Sequence, residues 1–341
     1  MKKCLILINE ISGKGSLVDE KKLIDLYSKD YEVDITRIVD ETTLWSGKGY
    51  DLVIACGGDG TLNNVINGEL DKHTEVIYYS FGTFNETDKG KGRNLRTAGD
   101  QAQLKEYATA NDKIFSYVLA AGSFTSLGYV VDTDIKKKFG IFAYFTKVVS
   151  AYKVHSTRAK VTIDNKTYLN NYTLMMVIDS KRCFGFHFNR LYRPDNGKVQ
   201  VLLIKSPGRK DNFRNKVKMF FPFFRAFFVG FDKEYESKNI IFKSAEKVTI
   251  ELEGKETFNI DGEAMDFNGK IDVNVNATTK GIYFRNPKEV KKRFLRLRWF
   301  FSFSMSFLGF GLIHSWAKFY FIFNRVFFIK THKYLYCNDN R

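Results

Sequence analysis

The chain has 341 residues, 44% of them hydrophobic, enough for two globular domains with separate cores. Its four cysteines, Cys4, Cys56, Cys183 and Cys337, lack paired spacing, which excludes a disulfide framework and a zinc site and fits a reducing, cytoplasmic setting. A net charge of +16 with 33 Phe and 18 Tyr points to an anionic partner. Because Phe clusters beside Lys and Arg and no fixed-spacing nucleic-acid motif occurs, we read a membrane surface and no nucleic acid.

Met1-Lys2-Lys3 leads directly into a short apolar strand, Leu5–Ile8, without the longer apolar core of a signal peptide. Ser16 reads as the cap of a helix running through Leu23 and Leu26. Strands follow at Val33–Ile38, Leu52–Cys56 and Glu75–Tyr79, and a helix is expected over 100–111. This alternation predicts a parallel sheet covered by helices, with the ligand site beyond the carboxyl ends of the strands. Three loops leave those ends, at 9–15, 57–61 and 81–86.

The second of these loops is the most informative. Gly57-Gly58-Asp59-Gly60-Thr61 lies between a buried strand and a helix resuming at Leu62-Asn63. Glycines let the backbone approach a ligand closely, and the N–H groups opening a helix favour phosphate. A carboxylate placed among phosphate-binding groups needs a cation between, most often Mg²⁺. The loop therefore predicts a metal–nucleotide site.

Past residue 115 the pattern becomes short alternating runs: 115–120, 159–163, 172–178, 199–204, 239–242, 247–252, 256–260 and 271–275. Turn signals such as Asp164-Asn165, Asn196-Gly197 and Glu253-Gly254 separate several of them, which predicts an antiparallel β domain. Helical insertions are expected around 139–152 and 211–229. The resulting division is 1–115 as an α/β nucleotide-binding domain, completed by 280–295; 116–279 as a β-rich domain; and 290–341 as a basic, Phe-rich tail.

Several motifs, in order, resemble the diacylglycerol kinase catalytic family, in particular the soluble bacterial lipid kinases. Asn9, Ser12, Gly13 and Lys14 look like the family's Asn-Pro-x-Ser-Gly-Lys loop, and Gly57 to Asn63 matches Gly-Gly-Asp-Gly-Thr-Leu-Asn throughout. Gly82, Thr83 and Asn85 look like Gly-Thr-x-Asn-Asp; Ala120 to Thr125 opens the second domain; Asp261-Gly262-Glu263 looks like Asp-Gly-Glu. The resemblance implies an α/β fold: an NAD-kinase-like N-terminal domain with a parallel sheet, followed by an antiparallel β-sandwich-like domain. It also implies ATP and Mg²⁺ as cofactors, with the nucleotide held by the three loops between the domains. Asp59 would act with Mg²⁺ and the ATP phosphates, and Glu263 as general base on a lipid hydroxyl, a role that suits a carboxylate facing a poor nucleophile.

The departures are Glu10 for proline, Glu86 for Asp, Lys89 for Arg, and Phe184-Gly185 where a Gly-Gly run is usual. Bacterial members carry a structural Mg²⁺ at an Asp-Asp-Gly turn, here Asp195-Asn196-Gly197; losing one carboxylate weakens the pull on a hard cation, although the Asn196 carbonyl could still ligate it. Thr42 and Thr43 are both candidates for a nucleotide contact after the second strand.

A lipid kinase must reach a bilayer from the cytosolic face. The segment 214–228 joins a basic flank to a Phe-rich body and suits either an interfacial anchor or packing on the β domain. In the tail, the uncharged run 299–317, basic at both ends, suits an in-plane anchor, a spanning helix or packing on protein. The favoured activity is phosphate transfer from ATP to diacylglycerol; alternatives are another lipid alcohol such as a sphingoid base, ceramide, undecaprenol or phosphatidylglycerol, NAD, or a membrane-bound sensor without turnover. The family includes dimers, so a homodimer is a further possibility.

Overall fold

The computed structural model describes residues 1–40, 42–93, 96, 102–123, 154–278 and 281–292. The expected helix over 139–152 and the tail run 299–317 lie outside the described residues. Two sheets organise the rest.

The first sheet is five-stranded and parallel, in the order β17-β4-β3-β1-β2. It comprises β1 (Lys2–Asn9), β2 (Tyr31–Ile38), β3 (Leu52–Gly57), β4 (Glu75–Ser80) and β17 (Ile282–Arg285), the last returning from the far end of the chain to pair with β4. Every residue of β3 is buried, as the central strand of a parallel sheet covered on both faces requires. Helix α1 (Glu20–Tyr27) begins later than the sequence suggests. Ser16 lies in a 3₁₀ turn, and Asp19 is the cap, accepting from the Lys22 N–H at 3.3 Å. Helix α2 (Asp59–Ile66) buries Leu62, Val65 and Ile66 against the sheet.

The second sheet is antiparallel and curled. Its longest strand, β9 (Lys166–Ile178), has β10 (Val199–Lys205) on one edge and two strands in succession on the other. β8 (Thr157–Ile163) takes the first half of β9 and β7 (Val118–Gly122) the second, so the sheet divides into two layers around one core. β12 (Ile240–Ala245) and the two-residue β11 (Tyr235–Glu236) extend it past β10. β13 (Lys247–Leu252) and β16 (Lys270–Ala277) continue past β8, whereas β14 (Glu256–Ile260) and β15 (Glu263–Phe267) pair off beside β7.

Two elements differ from the sequence reading. Among the residues described within 100–111, Glu106–Ala110 forms a strand, β5, rather than a helix; it pairs with β16 and continues through a tight turn into β6 (Lys113–Phe115). Alanine favours helix, but Glu106, Ala108 and Ala110 all face inward, and that period of two under tertiary pairing overrides propensity. Both strands belong to the antiparallel sheet although they precede residue 116. β15 was not anticipated, because Glu263-Ala264-Met265-Asp266-Phe267 is mostly exposed and lacks apolar alternation.

Helix α3 (Phe213–Phe224) lies within the expected 211–229 insertion, capped by Asn212 and followed by a π-type turn over Arg225–Val229. Met219, Phe223 and Ala226 enter the core formed with β9, β10 and β12. Among the described residues no helix is long and apolar enough to cross a membrane.

A buried ion pair also ties the two sheets. Lys91, in a π-type turn after β4, bonds Asp179 at the end of β9, and both side chains are almost fully enclosed. Burial pushes the Asp179 carboxyl up to about 7 even with Lys91 beside it. Removing one partner of such a pair strands the other, which costs about 3–5 kcal/mol. Lys91→Met is therefore expected to lower the thermal midpoint sharply at pH 8. The loss should shrink toward pH 5, because a still higher Asp179 pKa lets the carboxyl enter the core protonated; equal destabilisation at both pH values would contradict this.

Candidate active site

The three loops at the carboxyl ends of the first sheet are cross-linked by their own backbones. Lys14 N–H donates to the Phe81 carbonyl at 2.8 Å, and Phe81 N–H to the Gly57 carbonyl at 2.6 Å. Asn9 Nδ2 donates to Thr61 Oγ1 at 2.8 Å, while Asn9 Oδ1 accepts from the Ser12 N–H at 3.1 Å. The loops pack so closely that a Cβ on Gly82 would lie 2.6 Å from the Gly58 Cα. Only glycine permits that approach.

A cleft of about 460 Å³ opens above these loops and reaches the second sheet. Of the residues singled out in the sequence, Asn9, Ser12, Gly13, Gly58, Asp59, Gly60, Thr61, Gly82, Thr83, Glu86, Phe184, Asp261, Gly262 and Glu263 line it. Thr43 lines it and Thr42 does not; both hydroxyls bond Asp40 Oδ1. The remaining positions lie behind the cleft wall. Gly57 packs against Thr61, Leu62 is fully buried under α2, and Asn63 points toward the second sheet. Lys14 holds the third loop through its backbone alone. Asn196 sits elsewhere, in a turn whose N–H groups at Asn196 and Gly197 donate to the Glu106 carboxylate at 3.2 and 2.9 Å. Among the described residues no group of three or more His, Cys, Asp or Glu is placed to hold a metal.

Asp59 opens α2, whose cap, Gly58, has no side chain to satisfy the first-turn N–H groups. That arrangement favours an incoming phosphate. The Asp59 carboxylate accepts from the backbone N–H groups of Glu86 and Thr87 at 2.8 and 2.9 Å. Burial outweighs those bonds and pushes its pKa up to about 7. One N–H per oxygen leaves lone pairs that suit a divalent cation. Asn85, at φ 50°, has an Oδ1 that is buried without a hydrogen-bond partner, which fits a site awaiting a ligand. The donor set is therefore compatible with nucleotide and Mg²⁺.

Across the cleft, a Cβ on Gly60 would lie 2.7 Å from Glu263 Oε1. The glycine thus lets the Glu263 carboxylate rest on the phosphate-type loop. The neighbour Asp261 holds it there. Asp261 is buried at φ 51° and accepts from the Tyr117 and Val118 N–H groups, each at 2.9 Å, from Ser116 Oγ at 2.8 Å, and from the Ser116 N–H. Asn63 Nδ2 adds a bond at 3.0 Å from the other sheet. Burial raises the Asp261 pKa, while the surrounding N–H groups act to lower it.

Neither a role for Asp261 nor a partner for Glu86 is legible in the sequence. Glu86 is buried and accepts from Arg182 Nε at 2.7 Å and from the Gly185 N–H at 2.8 Å, tying the third loop to a hairpin on the second sheet. Burial is the main cause of its raised pKa, with Arg182 opposing. Partial burial, then the nearby Arg182, holds the Lys89 ammonium below its usual value. Its charge neighbours include Lys14 as well, so basic groups gather on this side of the site.

Residues 3–111 match the diacylglycerol kinase catalytic domain family. The chain resembles that family. A Bacillus subtilis diacylglycerol kinase is 25% identical over 292 residues, covering 77% of this chain and 90% of that protein. A Streptococcus pneumoniae protein with a provisional lipid-kinase name is 24% identical over 311 residues, covering 85% of this chain and all of that one. A crystal structure of a provisionally named diacylglycerol kinase from Bacillus anthracis superposes with a TM-score of 0.58 at 18% identity, over 83% of this chain and 97% of its own. The last similarity shows the fold: a parallel sheet beside an antiparallel one. The family motifs fall on the cleft wall and on the bonds behind it.

Asp261→Ala would orphan three backbone N–H groups, at about 1–3 kcal/mol for each donor left buried, and would leave the Asn63 amide only its bond to the Ile114 carbonyl. A loss above about 3 kcal/mol in denaturant unfolding is expected, against less than about 0.5 kcal/mol for an exposed control such as Lys255→Ala. Similar stability of the two variants would show that Asp261 is not the anchor.

Proposed function

We propose that the chain transfers the γ-phosphate of ATP to the hydroxyl of diacylglycerol, forming phosphatidic acid and ADP. The observation that carries the reading is the Glu263 carboxylate resting against Gly60 of the phosphate-type loop. A base for the acceptor hydroxyl and a cradle for the donor phosphates thus share one cleft. The names of the relatives support the lipid acceptor, and the family match supports a phosphotransferase.

In this reading the N–H groups at the start of α2 and the 9–15 loop receive the phosphates. Asp59 would hold Mg²⁺, which would supply charge neutralisation for the donor phosphates. Asn85 offers its unpartnered carbonyl to the nucleotide. Glu263 accepts the proton of the lipid hydroxyl as the oxygen–phosphorus bond forms and the bond to the ADP oxygen breaks. Asp261 positions Glu263 through the turn at Gly262. The catalytic domains work at the cytosolic face of a membrane, where ATP is.

The test is phosphate transfer from labelled ATP to a panel of lipids in mixed micelles, wild type beside Asp59→Ala. Label on diacylglycerol, lost in the variant, is the expected result. Label on a sphingoid base, ceramide, undecaprenol or phosphatidylglycerol instead would keep the mechanism and replace the acceptor. Label on NAD alone would overturn the lipid reading, and no label on any acceptor would favour a sensor. Glu263→Gln should lower kcat by about 10²-fold or more with little change in the KM for ATP. A near-normal kcat would remove Glu263 from the base role.

A further inference from the structure

Helix α3 is divided between core and solvent. Met219, Phe223 and, in the turn that follows, Ala226 are buried, which secures the helix on the sheet. Phe220, Phe221, Phe224 and Phe228 point outward, with Phe221 67% exposed. These four rings are not scattered. Phe220 contacts Phe221 at 5.5 Å and stacks on Phe224 at 5.9 Å, and Phe224 stacks on Phe228 at 5.3 Å. A contiguous exposed aromatic face of this kind marks an interaction site.

Its surroundings are basic. Residues 205–229 contain seven Lys or Arg and one acidic residue, Asp211. Such a flank repels a second copy of itself and attracts an anionic lipid surface, where Phe can enter the acyl boundary while Lys and Arg stay among headgroups.

The face also continues into the cleft. Phe228 meets Phe186 at 5.4 Å. Phe186 closes a tight hairpin with Cys183, the two exchanging backbone hydrogen bonds at 3.0 and 3.1 Å. The turn between them is Phe184-Gly185, both at positive φ, and Phe184 lines the cleft. The hairpin is held against the site by the bonds from Arg182 and Gly185 to Glu86, whose own N–H donates to Asp59. The hairpin thus stands between the exposed aromatic face, which Phe186 meets, and the cleft, which Phe184 lines.

We propose that the phenylalanine face of α3 inserts into an anionic bilayer and that the Cys183–Phe186 hairpin guides the acceptor's acyl chains from there into the cleft. The second half rests on the lipid-kinase reading; the first does not.

The experiment places an indole on the face of the full chain, Phe221→Trp, and adds vesicles with brominated acyl chains, either phosphatidylcholine alone or with phosphatidylglycerol. Fluorescence is read against the wild type, whose native Trp residues give the background. Extra quenching of the introduced indole in the anionic vesicles, weak or absent in neutral ones, is expected. Quenching no greater than that of the wild type, with or without dimerisation in solution, would overturn the docking surface. For the hairpin, Phe186→Ala is expected to lower kcat/KM for long-chain diacylglycerol at least tenfold more than for the dioctanoyl form. An equal effect on both would overturn the guiding role. Quenching by anionic vesicles with no transfer to any lipid of the panel would support the docking surface while refuting the lipid-kinase reading.

Discussion

The Asp261 carboxylate accepts hydrogen bonds from three consecutive backbone N–H groups of the opposing strand region, from a serine hydroxyl and from an amide of the other sheet. So many donors compensate a buried charge, and they leave the group one geometry. Everything at the cleft is referred to it. The turn at Gly262 follows directly, β15 starts at Glu263, and the Glu263 carboxylate comes to rest over Gly60. Through Asn63 the same carboxylate reads the orientation of α2, which carries Asp59 at its first position. The two carboxylates expected to do chemistry therefore sit on elements pinned by a third.

Glu86 performs a similar service on the other wall. Its backbone donates to Asp59 while its side chain accepts from Arg182 and Gly185. Shortening it to Asp, the residue usual at this point, would remove a methylene from a link that spans two sheets.

Local signals carried most of the fold. The apolar runs of β1, β3 and β4, the glycine loops after them and the alternating strands of the second sheet are short-range patterns, and they fall on strands of the structure, although β1 and β9 begin three and six residues before their runs and β12 ends three residues after its run. What failed depended on tertiary pairing. The alanines of β5 read as helix until β16 supplied a partner, and β15 has no apolar period because most of it faces solvent. The Asp19 cap was masked by Ser16, three residues earlier and equally suited by chemistry. The site loops were legible because glycine spacing is local. The Asp261 anchor and the Arg182–Glu86 link were not, since their partners lie 145 and 96 residues away in sequence. In α3 the dense run of Phe hid the period that separates Met219 and Phe223 from the outward rings.

Donor phosphates and acceptor base are expected to meet in the cleft between the two sheets. The most direct measurement is a crystal structure with a non-hydrolysable ATP analogue and Mg²⁺. The account predicts phosphates against Ser12–Gly13 and Gly58–Gly60, the cation beside Asp59, and the terminal phosphate facing Glu263. A nucleotide bound away from these loops, or a terminal phosphate turned from Glu263, would contradict it.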